Sequence, residues 1–159
     1  MFVLGPIASG KTMIAANLAE RTNMNMINFD DFLKENGLEE ADDETACMAL
    51  ISVLSREIKP RIILENFPQN AFQAKFFIRN CKSPSNVFSL DCPAEVCQDR
   101  MSQLGQGKPG YVPSAIMSQK IKEYYQSAKD LLPFLESKTN FVTINTDQSF
   151  EKTMQDIND

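Results

Sequence analysis

The sequence contains no histidine, and its four cysteines, Cys47, Cys81, Cys92 and Cys97, include no Cys-x-x-Cys pair. Together these absences argue against a zinc site and for reduced thiols that serve mainly in packing. Glycine and proline are sparse, at 6 and 8 of 159 residues, and no tract is repetitive or of low complexity, so a disordered or repeat protein is not expected. No apolar run approaches the roughly 20 residues of a membrane span, and the opening Met-Phe-Val-Leu is too short for a signal peptide. A soluble, cytoplasmic protein with no membrane partner is the expectation. Positive charge is also in short supply. The formal net charge of −5 argues against nucleic acid as a partner, because that binding rests on Lys and Arg neutralising phosphates. Any anionic ligand must be held by a local site.

What is present is the composition of an ordinary globular domain, 43% hydrophobic and 23% charged. A chain of this length forms one domain that buries roughly 70% of its unfolded surface. Met1 to Leu4 reads as a strand meeting a glycine, and Lys11 to Arg21 as a helix with Met13, Ile14, Leu18 and Arg21 at helical spacing. Met24 to Phe29 reads as a second strand. Asp30 and Asp31 are expected to cap a short helix through Lys34 that Asn36-Gly37 breaks; a metal pair is the less favoured reading of these aspartates. The acidic stretch Glu39 to Glu44, a solvated face, leads into a helix stopped near Lys59-Pro60. Arg61 to Glu65 reads as a buried strand, Asn70 to Arg79 as a helix, Asn86 to Asp91 as a strand and Ala94 to Leu104 as a helix. Gly105 to Pro113 is the only Gly/Pro-rich stretch, a candidate mobile loop. A long helix from Ser114 to about Ser137, the strand Phe141 to Asn145 and a helix from Gln148 complete the alternation. Such alternation implies right-handed βαβ units in an α/β fold: a five-stranded parallel sheet with helices on both faces. Ligands of such sheets sit beyond the carboxyl ends of the strands.

There the most informative motif falls. Gly5-Pro6-Ile7-Ala8-Ser9-Gly10-Lys11-Thr12 satisfies G-x-x-x-x-G-K-[ST], between a predicted strand and a predicted helix. A glycine-rich turn lets successive backbone N–H groups face phosphate oxygens, and the helix beginning near Gly10 adds the positive end of its dipole. Lys11, exposed at this helix N-terminus, is expected to reach the β and γ phosphates of ATP, and Thr12 to bind Mg²⁺. The P-loop NTPase fold follows.

Around this motif the chain resembles the adenylate kinase family of nucleoside monophosphate kinases over nearly its whole length. Asp30-Asp31-Phe32-Leu33-Lys34 resembles T-G-D-L-L-R, Glu65-Asn66-Phe67-Pro68-Gln69 resembles D-G-F-P-R, and Asp99 to Gly105 resembles x-R-L-x-x-R-G. The segment from Gln119 to Glu136, with Tyr124-Tyr125, resembles the helix after the lid. The resemblance implies a core, a trimmed monophosphate-binding arm at residues 30–59 and a short lid at 105–113. It implies that Arg100 stacks on the ATP base and that Lys11, Arg100 and Lys120 act in catalysis. Asp31, Lys34, Gln69 and Gln73 would hold the monophosphate, Gln73 matching the glutamine that reads adenine. Glu65 stands where an aspartate orders metal-bound water; a surface glutamate capping a strand end is the alternative.

The departures fall on the chemistry. Of the family's arginines only Arg100 stays in place; the others are replaced by Lys34, Gln69, Leu104 and Lys120, and the lid's arginine and paired aspartates by Tyr111-Val112-Pro113-Ser114. Phosphoryl transfer relies on cations around the migrating charge. Lysine keeps the charge without the planar fork, and Gln69 and Leu104 keep neither. The expected function is thus an ATP/ADP-binding, adenylate-kinase-like domain with transfer to AMP or another monophosphate weak or lost. The alternatives are an active nucleoside monophosphate kinase and a regulatory or structural module among other domains of a larger protein; a chain that begins at its first strand suits the latter.

Overall fold

Met1 to Leu4 is apolar at every position because the strand it forms is covered on both faces. In the computed structural model, which describes residues 1–56 and 61–158, β1 (Phe2–Leu4) is the middle strand of a five-stranded sheet. Its companions are β2 (Asn25–Asn28), β3 (Ile62–Glu65), β4 (Val87–Asp91) and β5 (Phe141–Asn145), in the order β2-β3-β1-β4-β5 and all parallel. The helices among the described residues are α1 (Lys11–Thr22), α2 (Phe29–Glu35), α3 (Asp43–Ser55), α4 (Ala71–Asn80), α5 (Ala94–Leu104), α6 (Ser114–Lys138) and α7 (Phe150–Asn158).

Successive strand residues point to opposite faces, and the two cores divide accordingly. Phe2 and Leu4 of β1, Leu64 of β3 and Val87 of β4 pack with Phe32, Leu50, Phe77 and Leu135 from α2, α3, α4 and α6. Val3, Ile63, Phe88 and Leu90 face the other way, onto Ile14 and Leu18 of α1 and Met154 of α7. A smaller cluster of Cys92, Cys97, Met101, Met117 and Ile121 joins α5 to α6. All four cysteines are free thiols, three of them buried and Cys81 exposed; burial pushes Cys47 and Cys97 up to about 12. No helix of the described residues is long and apolar enough to cross a membrane.

Phe67 fixes the turn after β3. Fully buried, it packs edge-on against Phe29 at 4.8 Å, Phe77 at 5.3 Å and Phe2 at 5.8 Å between ring centres, contacts worth roughly 0.5–1.5 kcal/mol each beyond area burial. That anchor ties the turn to β1, α2 and α4, and so holds Asn66 and Gln69 at the carboxyl edge of the sheet.

Two local expectations need correction. Helix α2 begins at Phe29, directly off β2, and its cap is Asn28, whose side-chain oxygen accepts the Asp31 N–H at 3.0 Å. Asp30 and Asp31 lie in its first turn instead, Asn28 being still extended and one residue nearer the strand. Helix α3 is capped by Asp42, which accepts from Thr45 N–H at 2.7 Å, and ends at Ser55; the stop expected at Lys59-Pro60 lies outside the described residues. Of the segment assigned to an arm, residues 30–56 carry α2 and α3, which bury Phe32, Ala46, Cys47 and Leu50 in the first core. At 105–113, Gly105, Gly107 and Gly110 take positive φ, and Val112 N–H donates to Met101 Sδ at 3.2 Å.

Candidate functional site: a phosphate loop facing an amide and carboxylate wall

The turn between β1 and α1 is shaped by what cannot fit there. A Cβ on Gly5 would lie 2.7 Å from Ser9 Oγ and 2.9 Å from Leu90 Cβ, so this position excludes any side chain. Gly10 has φ +97°, a left-handed conformation that glycine adopts without cost. Ala8 is also left-handed, at φ 64°, which costs an alanine roughly 1–2 kcal/mol. The turn closes through Ser9 N–H to Pro6 O at 3.2 Å, and α1 opens with Ile14 N–H to Gly10 O at 3.1 Å. No side chain caps α1 and its first turn carries no acid, so its end is built for an external anion.

Lys11 is not the freely exposed group expected. Its Nζ donates to Gly5 O at 2.7 Å and Pro6 O at 2.9 Å, within the loop itself. Burial lowers its pKa to about 8, against the opposing pull of the Glu65 and Asp30 carboxylates. The Thr12 hydroxyl donates to Glu65 Oε1 at 2.5 Å. Glu65 is only 2% exposed, and its Oε2 is buried without a hydrogen-bond partner among the described residues, which corrects the alternative of a surface glutamate. A buried carboxylate oxygen left unpaired beside a threonine hydroxyl is an all-oxygen pair with acceptor capacity to spare. Hard, oxygen-seeking Mg²⁺ fits that donor pair.

Arg100, on α5, binds the same loop from the side. Its Nη1 donates to Ala8 O at 3.4 Å and Ser9 O at 3.3 Å, and its Nη2 to Thr146 O beyond β5. The guanidinium thereby joins the phosphate loop to the β5–α7 turn, where Thr146 is itself held by N–H and hydroxyl bonds to Asp91 O.

These groups open on a cleft of about 1070 Å³ at the carboxyl edge of the sheet. Gly5, Ile7 to Thr12, Glu65, Gln69, Arg100 and Lys120 all line it, as do Leu104, Glu123 and Tyr124. Pro6, Asp31, Lys34 and Gln73 do not. Pro6 contributes a carbonyl to Lys11, Asp31 and Lys34 are exposed on α2, and Gln73 is buried beneath the wall. Both polar ends of Gln73 are engaged: its Oε1 accepts Gln69 N–H at 2.7 Å and its Nε2 donates to Asp43 Oδ1 at 3.0 Å. Of the four residues that the resemblance grouped around a monophosphate, Gln69 alone lines the cleft, with Gln73 bonded behind it and Asp31 and Lys34 directed elsewhere on α2.

The wall beside the loop centres on Asp30, read from sequence as a helix cap in preference to half of a metal pair. Asp30 accepts from Asn66 Nδ2 at 2.5 Å and from Gln69 Nε2 at 2.9 Å, and all three line the cleft. Asn66 adopts φ 64°, a left-handed conformation that asparagine tolerates better than most residues. Beside them, also lining the cleft, Asn70 caps α4, accepting from Gln73 N–H at 2.9 Å and donating to Asp43 Oδ2 at 3.1 Å. The clue available in sequence was the density of amides and acids in Glu65-Asn66-Phe67-Pro68-Gln69-Asn70 and Asp30-Asp31.

A family model described as AAA domain matches residues 1–111. The match takes in the phosphate loop, Asp30, Glu65 and Arg100, while Lys120, Tyr124 and Thr146 lie beyond it. No curated protein matches the chain.

Proposed function

This chain belongs to the AAA domain family, and from that premise we propose that it binds ATP with Mg²⁺ and transfers phosphate to a nucleoside monophosphate weakly or not at all, as a divergent adenylate-kinase-like domain. The coarser part is direct: the fold is an α/β P-loop NTPase fold and the domain a nucleotide-binding one. The finer part rests on the charge of the cleft. Lys11, Arg100 and Lys120 are its cationic lining residues and Asp30, Glu65 and Glu123 its anionic ones, so the formal charges cancel. A site that gathers a nucleoside triphosphate and a monophosphate around a migrating phosphoryl group needs an excess of cations. Each missing clamp costs about 3 kcal/mol, or on the order of a hundredfold in rate.

Within this reading, Gly5 to Thr12 cradle the triphosphate and Lys11 turns from its loop carbonyls to the β and γ oxygens. Thr12 and Glu65 would hold Mg²⁺, which offsets phosphate charge. Arg100 is held by carbonyls in the plane of its guanidinium, which leaves a flat cationic face for the nucleotide base. Retained transfer to a monophosphate is the second reading, favoured by the presence of both Arg100 and Lys120 in the cleft.

Calorimetry with Mg·ATP tests the first half: no heat and no thermal shift with ATP, ADP or GTP at millimolar concentration sinks nucleotide binding. A coupled assay tests the second. Turnover with AMP of ~10 s⁻¹, an ordinary enzyme rate, would establish a working kinase in place of a weakened one.

A further inference from the structure

We infer that Arg100 is a positioning residue for the phosphate loop: by holding the carbonyls of Ala8 and Ser9 from one side, it keeps the Gly10 N–H turned the other way and free for a phosphate oxygen. This role rests on nucleotide binding at that loop, as read above, and is separate from the stacking of a base on the same guanidinium.

A peptide unit is planar and trans, so its oxygen and its N–H point in opposite directions. Arg100 Nη1 donates to Ala8 O at 3.4 Å and to Ser9 O at 3.3 Å, and these oxygens belong to the peptide units that end in the N–H groups of Ser9 and Gly10. Both N–H groups are thereby turned away from the guanidinium. Ser9 N–H is engaged within the loop, on Pro6 O at 3.2 Å, whereas Gly10 N–H has no backbone acceptor among the described residues. Gly10 is the cap of α1, where no side chain closes the helix end. Free N–H groups at such a turn are what an anion binds.

The glycines of the turn permit this arrangement without enforcing it. Gly10, at φ +97°, tolerates either orientation of the peptide before it, and a reversed Ser9–Gly10 unit would set a carbonyl oxygen where phosphate belongs. Ala8, at φ 64°, holds a conformation that alanine disfavours. Ile7 and Ala8 also pack against the apolar cluster between α5 and α6, but apolar packing does not select the direction of a carbonyl. A charged donor does.

Arg100 is itself braced. Its Nη2 donates to Thr146 O, and buried Thr146 is bound through its N–H and its hydroxyl to Asp91 O at 2.9 and 3.2 Å. Its Nη1 also lies 3.6 Å from the buried Cys92 Sγ. One guanidinium therefore ties the loop to the end of β4 and to the β5–α7 turn.

The test is calorimetry of the whole chain, Arg100→Ala and Arg100→Lys with ATP and with inorganic triphosphate, which has no base to stack. Arg100→Ala should weaken inorganic triphosphate by roughly 10- to 100-fold, the scale of hydrogen bonds made by a charged group, and ATP by at least that factor. Guanidinium ion at millimolar, non-denaturing concentration should restore part of the triphosphate affinity of Arg100→Ala without changing its melting temperature. Arg100→Lys keeps the charge but not the fork that spans loop and turn, so its loss should be intermediate; should Arg100→Ala fail to fold, this variant carries the test. In amide NMR spectra without ligand, the Gly10 signal should shift in each folded variant while those of β1 and β3 stay in place. Unchanged triphosphate affinity in the variants that fold, with ATP alone weakened, would leave Arg100 to the base and overturn the inference. A loss of both ligands that follows a fall in melting temperature and that guanidinium does not reverse would overturn it as well, as the mark of a general loss of stability. Where the original chain binds both ligands, these outcomes count against Arg100 alone; where it binds neither, nucleotide binding itself fails and takes this role with it.

Discussion

The two walls of the cleft are built by different means. The phosphate loop is a backbone device: eight consecutive residues whose conformation follows from Gly5, Gly10 and the start of α1. The facing wall is a side-chain device. Asp30 meets Asn66 and Gln69 across 36 and 39 residues of sequence, and Asp43 meets Asn70 and Gln73 across 27 and 30. One wall is set by a turn and a helix N-terminus, the other by side chains drawn from distant parts of the chain, so the two sides of one cleft are fixed by different parts of the fold. A phosphate loop therefore accounts for one side of the cleft only; the other must be read from the side chains the fold brings to it.

If the facing wall depends on the core and the loop does not, the largest effect should come from its anchor. Phe67→Ala removes a fully buried ring with three aromatic neighbours and should cost about 3–5 kcal/mol of stability in chemical denaturation. A cost under about 1 kcal/mol would show that the turn is not held as described. Next in size is Lys11→Ala, which should weaken Mg·ATP by roughly 10- to 100-fold through the loss of charged hydrogen bonds. Its melting temperature should change little, since the ammonium serves only loop carbonyls. Equal affinities for the variant and the original chain would mean that the lysine stays on those carbonyls with nucleotide bound.

The same contrast explains what could be read in advance. All five strands and the order of helices were legible: the inner strands β1, β3 and β4 carry buried apolar runs, the edge strands β2 and β5 fall where the alternation with helices requires them, and helices carry their own periodicity. The phosphate loop was legible because it is contiguous. Of the facing wall, Gln69 was named in advance and Asp30 and Asn66 were not. Asp30 next to a strand end looks like any helix cap, and nothing local says that Asn28 takes that task and frees Asp30 for the cleft. Gln73 shows the converse: a motif match placed it on a ligand, whereas its side chain bridges Gln69 N–H and Asp43. Glu65 was recognised from motif order, but its burial and unpaired oxygen needed the folded sheet.

A smaller effect, about tenfold, distinguishes the walls by pH. Lys11 has a pKa lowered to about 8 by burial, so its ammonium is present below that pH and lost above it. ATP bound through the charged form should keep its affinity from pH 6 to 7 and lose about tenfold between pH 7 and pH 9, one unit past the pKa. Lys11→Ala should flatten this profile. A profile already flat in the original chain would show that the lysine charge does not contribute to binding.

The smallest expected effect lies at the start of α4, where Asn70 lines the cleft. Asn70 joins two tasks: its side-chain oxygen caps α4 through Gln73 N–H, and its Nδ2 holds Asp43 at the start of α3. Asn70→Ala should cost about 1 kcal/mol of stability, the usual worth of a helix cap. Asn70→Asp keeps the cap but sets a second carboxylate against Asp43, so it should recover the capping part and add a repulsion that grows as salt is lowered. ATP affinity should be unchanged in both variants, because the phosphate loop draws no support from α4. A drop in ATP affinity with Asn70→Ala comparable to that of Lys11→Ala would instead make the amide network part of the nucleotide site, and the two walls would have to be treated as one device.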